Sequence, residues 1–281
     1  NRKQLEADLP DIFQRAFDAY SNGQVSEDNR INSELTFAKT LIEGRSVTWE
    51  DTFRVQYLEW RENKILALVN QLIGEYEQII AERPLYKTSY NDEGRETASG
   101  LYYAGYHDFD NNQMPELLLL TAEGFPSTPN GTIVEEHSVL VEIYGEQNGQ
   151  IVKYGEQSLY SYFAESRITL TKYQDQMFIC DYYCGNGTKS STTIAYYGVQ
   201  GKNLCLAEKA QIIPGFDDER SSYVMQYYLS GVQVDEAAFN ITTAGYVTQA
   251  TFFEYGYGAN THGVLTQPIN RTIIANGQTL P

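Results

Sequence analysis

The hydrophobic pattern changes period near residue 85, and this change constrains the fold more than any other feature of the chain. Before it, apolar residues recur every three or four positions, the spacing that lines one face of a helix. After it they alternate or form short β-branched and aromatic runs, the mark of strands. Helices and strands segregated along a chain build an α+β fold, because an α/β fold would interleave them. The expected division is a helical region, 1–85, and a β-rich domain, 86–281, either separate or continuous with each other.

Three helices are expected in the first region. Leu5, Leu9, Ile12, Phe13, Ala16, Phe17 and Tyr20 keep three-and-four spacing and end at Asn22-Gly23, a good helix stop. Pro10 inside this stretch predicts a start or a kink there. A second amphipathic segment runs from Ser26 to Ile42 and stops at Gly44. The third is the strongest. Thr48 opens it, and Asp51 stands where a carboxylate can reach back to the cap amide. It ends before Pro84, because the residue preceding proline avoids the α region. Its stripe is Val55, Leu58, Ile65, Val69, Leu72, Tyr76 and Ile79, broken by Glu62. At 1.5 Å per residue, Thr48–Arg83 would span about 54 Å. Such a stripe predicts a core-facing helix in a small bundle, and it also admits a coiled-coil partner.

The second region reads as an antiparallel, Tyr-rich β-meander with one short late helix. Val139–Tyr144, Gln150–Tyr154, Arg167–Lys172, Met177–Tyr183, Thr192–Val199 and Asn203–Ala207 follow one another with no helix between them. Asn148-Gly149 is a strong hairpin signal, since both residues tolerate the positive φ of a type I′ turn. Gly201-Lys202 closes another hairpin. Asp235-Glu236 opens the short helix, and residues 246–257 form a last strand or packed loop. Twenty of the 23 tyrosines lie from residue 86 onward, in keeping with their strand preference.

Charge narrows the partners. Twenty Lys and Arg stand against 37 Asp and Glu, a net −17. Of this, 10 basic and 22 acidic residues, or −12, belong to the β-rich region. Counterion release from a phosphate backbone needs clustered cations, so no nucleic-acid partner is expected. No stretch approaches the roughly 18 apolar residues of a membrane-spanning helix. The chain opens at Asn1 rather than Met, as a processed or trimmed chain does, and any membrane attachment has to come from a segment upstream of Asn1, such as a signal or lipid anchor. Cys180, Cys184 and Cys205 are too few for a disulfide scaffold. A Cys184–Cys205 bridge between neighbouring strands stays open.

The locally informative segment is Tyr106-His107-Asp108-Phe109-Asp110-Asn111-Asn112-Gln113-Met114-Pro115-Glu116-Leu117. It reads strand, acidic loop, strand. Asp108, Asp110 and Asn112 occupy positions 1, 3 and 5, and a tight loop turns such alternate side chains onto one hard cation. Calcium takes six to eight oxygens, so the Met114 carbonyl at position 7 and Glu116 at position 9 complete the candidate set. This is not a full EF-hand, because position 12 is Leu119 rather than Glu and position 6 is Gln113 rather than Gly. His107 stands beside the loop, where it could orient a ligand carboxylate. His137 and His262 are far from it in sequence.

Asp108–Leu117 resembles the D-x-[DN]-x-D-G-x-P-E-L loop of secreted or lipid-anchored proteins of gut Gram-positive bacteria, mostly of unknown function. The chain departs from that loop at Asn112 and Gln113. A weaker likeness follows at Tyr228-Leu-Ser-Gly-Val-Gln-Val-Asp-Glu-Ala-Ala-Phe239. The resemblance implies an extracytoplasmic address, at the cell surface or secreted, and no particular activity.

Two functions follow from these observations. One is an extracytoplasmic binding or interaction module for a glycan or protein ligand, with a structural calcium loop. Tyrosine suits such surfaces, offering a flat apolar face and a hydroxyl. The alternative is a carboxylate-dependent hydrolase of cell-wall or dietary polysaccharide. That requires a cleft with two carboxyl groups about 5–10 Å apart, one of raised pKa.

Overall fold

The computed structural model describes residues 2–20, 27–90, 96–126, 138–160, 165–185, 190–217, 222–256, 274–275 and 278–279. Three helices come first: α1 (Arg2–Tyr20), α2 (Glu27–Glu43) and α3 (Asp51–Ala81). Eleven strands follow: β1 (Lys87–Tyr90), β2 (Glu96–His107), β3 (Glu116–Pro126), β4 (Ser138–Gln147), β5 (Gln150–Tyr160), β6 (Glu165–Tyr173), β7 (Gln176–Cys184), β8 (Thr192–Gln200), β9 (Asn203–Asp217), β10 (Ser222–Leu229) and β11 (Val232–Val234). Helix α4 (Glu236–Ala244), β12 (Val247–Gly256), β13 (Ile274–Ala275) and β14 (Gln278–Thr279) close the chain. The molecule divides into two compact units, residues 1–74 with 111–114, and residues 75–110 with 115–281.

The helical unit is built on aromatic packing. Leu9, Ile12, Phe13 and Ala16 of α1 meet Ala38 and Ile42 of α2 and Phe53 and Tyr57 of α3. The Phe13 and Tyr57 rings meet edge to face at 5.2 Å. Helix α1 runs unbroken through Pro10, which lies on its exposed side. Helix α3 opens at Asp51 rather than Thr48, so its 31 residues span about 46 Å at 1.5 Å each. Val69, Leu72 and Tyr76 of the apolar stripe are buried, but the first turns depart from it. Val55 is 53% exposed, while Phe53, Tyr57 and Arg61 face inward. The cause is Glu34, fully buried on α2. It accepts Arg30 Nε at 2.8 Å, Tyr57 OH at 2.7 Å and Arg61 Nε at 2.7 Å. A buried carboxylate is tolerable only when it is paired, so Arg30 and Arg61 are buried with it.

The β unit holds two seven-stranded sheets rather than one. The first has the order β14-β13-β2-β3-β4-β5, with β1 also on β2; the second has the order β11-β10-β9-β8-β7-β6-β12. Among the described strands pairing is antiparallel except where β13 meets β2, and Leu85 makes one isolated parallel bridge to Leu101. Two-residue turns set the meander: Asn148-Gly149 at φ 54° and 78°, Gly201-Lys202 at 55° and 64°, and Ser230-Gly231 at 45° and 82°. Positive φ at both positions is the type I′ geometry that suits the twist of a hairpin. Strand β12 then returns beside β6.

The two sheets share one core, as alternate side chains dictate. Leu118, Leu120, Val141 and Ile143 of the first sheet pack with Ile168, Ile179, Val199 and Phe253 of the second. The end of α3 covers the outer face of the first sheet, with Tyr76 stacked on Tyr106 at 5.7 Å. There Glu142 accepts Lys153 Nζ at 2.7 Å, Arg83 Nη2 at 3.1 Å and Tyr144 OH at 3.0 Å. Burial pushes the Glu142 carboxyl up, but Lys153, Tyr144 and Arg83 outweigh it and hold the group below the usual carboxylate range. On the outer face of the second sheet Tyr246 stacks on Tyr196 at 3.7 Å and on Tyr173 at 4.6 Å. Much of the tyrosine excess is therefore packing material.

Register excludes the Cys184–Cys205 bridge. Cys184 lies opposite Thr192, and Thr192 opposite Ile212. Cys205 is seven residues earlier on β9, about 23 Å along the strand. All three thiols are free.

Candidate metal centre

Strands β2 and β3 run antiparallel with His107 opposite Glu116, so residues 108–115 form the loop between them. That loop turns sharply. Asn111 stands at φ 57° and Gln113 at φ 69°. Left-handed backbone suits Asn and is unfavourable for Gln. Position 6 therefore adopts the conformation that glycine supplies in calcium loops, without the glycine.

The turn brings Asp108, Asp110 and Glu116 together. One carboxylate oxygen from each lies within 4.8 Å of the others. Asp108 and Glu116 are buried, the latter only 1% exposed. Glu116 accepts the Phe109 N–H at 2.7 Å. Burial, then the like charges of Asp110 and Asp108, push its carboxyl well above the usual range. Such an environment favours the protonated form, or a cation in the proton's place. Of the five sequence candidates these three converge. Asn112 and Met114 engage each other, with the Met114 N–H donating to Asn112 Oδ1 at 2.6 Å, an Asx-type turn.

One neighbouring arrangement escapes a sequence motif search. Tyr103 OH and His107 Nε2 lie 2.8 Å apart across Gly105. Residues i, i+2 and i+4 share one face of a strand. A Cβ on Gly105 would collide with the Tyr103 hydroxyl and His107 Nε2, so glycine is required between them. Burial pushes the His107 imidazole down to about 4, and it is neutral at neutral pH. The alternation Tyr103-x-Gly105-x-His107 was the available signal. His137 and His262 lie outside the described residues. Among the described residues no helix is long and apolar enough to cross a membrane.

No family model matches the chain, and no curated protein or solved structure matches it either.

Proposed function

We propose that the chain is an extracytoplasmic binding or interaction module whose 108–116 loop holds a structural calcium ion. The observation that carries the reading is the convergence of Asp108, Asp110 and Glu116 within 4.8 Å. Three carboxylates supply three to six of the oxygens that calcium takes, and backbone carbonyls and water complete the shell. The cation would relieve the repulsion that burial concentrates on Glu116. The resemblance of Asp108–Leu117 to the loop of secreted and lipid-anchored proteins supports the address, and the absence of clustered cations fits a glycan or protein ligand better than nucleic acid. The hydrolase reading needs a raised carboxyl that a substrate can reach. Glu116 has the raised carboxyl but almost no exposure.

Calcium titration followed by calorimetry and thermal melting tests this reading. Calcium should raise Tm, chelator should reverse the rise, and Asp110→Ala should abolish it. Identical melting with and without calcium in the wild-type chain would overturn it.

A further inference from the structure

The face that the second sheet turns toward the first changes character part-way along β7. Ile179 belongs to the shared core. Asp181, the next residue to point the same way, lies opposite Ile168 of β6 and is buried. Its Oδ1 is shut away from solvent with no hydrogen-bond partner among the described residues. A buried acceptor without a donor is destabilising, and a bound donor would remove that cost. At the next inward position the face is polar across five strands. Ser166 of β6 lies opposite Tyr183 of β7, Tyr183 opposite Thr193 of β8, Thr193 opposite Gln211 of β9, and Gln211 opposite Tyr228 of β10. Four strand spacings make this row about 19 Å long.

Packing does not explain the row. A packed face carries aliphatic side chains, and a solvated face of a chain with net charge −17 carries carboxylates; the row has neither. Ser166 and Thr193 are buried, while Tyr183, Gln211 and Tyr228 are half-buried, so the row opens toward β10. The first sheet approaches β9 at Leu204, against Gly155, seven residues before Gln211. Helix α4 lies on the opposite face of β10, where Phe239 meets Tyr227 at 5.3 Å. The polar side chains are ordered. Gln211 Nε2 donates to Thr193 Oγ1 at 3.3 Å, and Tyr228 OH donates to Gln226 Oε1 at 2.8 Å. The Gln226 amide lies over Gly215, where a Cβ would come within 2.5 Å of its Nε2. These bonds leave Gln211 Oε1 and Gln226 Nε2 without a partner among the described residues.

Chemistry selects the ligand. The face offers acceptors at Asp181 Oδ1 and Gln211 Oε1 and a donor at Gln226 Nε2, between tyrosine rings. A hydroxyl both donates and accepts, and the apolar face of a sugar ring suits the flat face of tyrosine. A charged ligand is disfavoured in either sign. An anion meets Asp181. A cation meets Lys209, which lies opposite Ala195 as Asp181 does, about 10 Å from it across the same face. Taking the chain to be a binding module, we propose that the row from Ser166 to Tyr228, with Asp181 beside it, binds a neutral oligosaccharide laid across the strands, whose hydroxyls bond to Asp181 Oδ1 and Gln226 Nε2.

The test is calorimetry of the full chain with neutral tetrasaccharides of glucose, xylose and N-acetylglucosamine, with NMR of the glutamine side-chain amides. At least one sugar should bind and stay uncleaved, moving the Gln211 and Gln226 amide signals as the site fills. Asp181→Asn and Gln226→Ala should each weaken binding about tenfold, with native circular dichroism. Val55→Lys, on the exposed side of α3, should leave it unchanged. A panel in which no sugar binds with a Kd below about 1 mM overturns the proposal. So does either site variant binding as the wild type does. In both cases a calcium-dependent rise in Tm would leave the module reading standing. Cleavage of the bound sugar, read by chromatography, does the reverse: it replaces the module with an enzyme and keeps the site beside Asp181.

Discussion

The helical unit and the β2–β3 loop solve the same problem in opposite ways. Each buries a carboxylate. In the helical unit Glu34 meets two guanidiniums and a phenol, with every bond at 2.7–2.8 Å. In the loop the charges that act on Glu116 are those of Asp110 and Asp108, which have its own sign. A buried carboxylate with its own cations is a structural device, complete within the chain. One gathered with other carboxylates depends on something that the chain does not encode, either a proton or a metal. Asp181 is a third case. It sits on β7 with its Oδ1 buried and no hydrogen-bond partner, and burial pushes its carboxyl up to about 7. Among the described residues, only the loop adds the geometry of a multidentate site.

The comparison breaks first at Glu34. Glu34→Gln leaves two buried guanidiniums facing a neutral amide and should cost about 3–5 kcal/mol, read by urea unfolding. A loss below about 1 kcal/mol would mean that the arginines are solvated, as surface pairs are, and the contrast would fail.

Asp181 comes next. The native state holds its proton up to about pH 7, whereas the unfolded chain releases it near 3.8. The native state therefore binds more protons between those values. Its stabilising effect is full below 3.8 and declines as pH rises toward 7. At about 1.4 kcal/mol per unit the decline is about 3–4 kcal/mol. Asp181→Asn should match the wild type near pH 4 and exceed its stability near pH 8, in melts across that range. Parallel curves would show that Asp181 does not titrate on unfolding.

Calcium distinguishes the loop from both. At a concentration 100 times Kd it should stabilise the chain by about 2.7 kcal/mol. It should also flatten the loss of stability that Glu116 causes as pH rises above the ordinary carboxylate range. That loss follows the same sign, because the raised group is protonated in the native state alone. Melts with chelator and with calcium at pH 5 and 8 separate the two effects. The smallest change expected is at Gln113. Gln113→Gly relieves the left-handed backbone but adds unfolded-state entropy, and should stabilise by about 0.5–1 kcal/mol. A net loss would show that the 3.4 Å contact from Arg61 Nη1 to Gln113 Oε1 outweighs the backbone.

Local signals in the sequence proved sound where the physics is local. The Asn148-Gly149 turn, the Asp235 cap and the change of period each depend on neighbours within a few residues. Asp235 accepts the Ala238 N–H at 2.7 Å, as an N-cap should. The stripe of α3 held at Val69, Leu72 and Tyr76, which are buried, and missed at its start, where Val55 is exposed and Arg61 turns inward to Glu34, 27 positions away, a partner that no periodicity contains. The antiparallel meander held and is divided between two sheets, because β5 and β6 do not pair and β12 lies against β6 instead. Tyr103 and His107 were visible as alternate residues, but their meeting depends on the bare Cα of Gly105.

What the sequence alone determined is the segregation of helix from strand, the turn geometry and the acidic loop with its candidate carboxylates. These rest on backbone preference and short spacing. Tertiary structure alone decided which carboxylates converge, which are neutralised by arginine and lysine, and which tyrosines stack on one another. Each of those outcomes turns on groups far apart in the chain, where burial raises the cost of an uncompensated charge and the fold sets which partner can reach it.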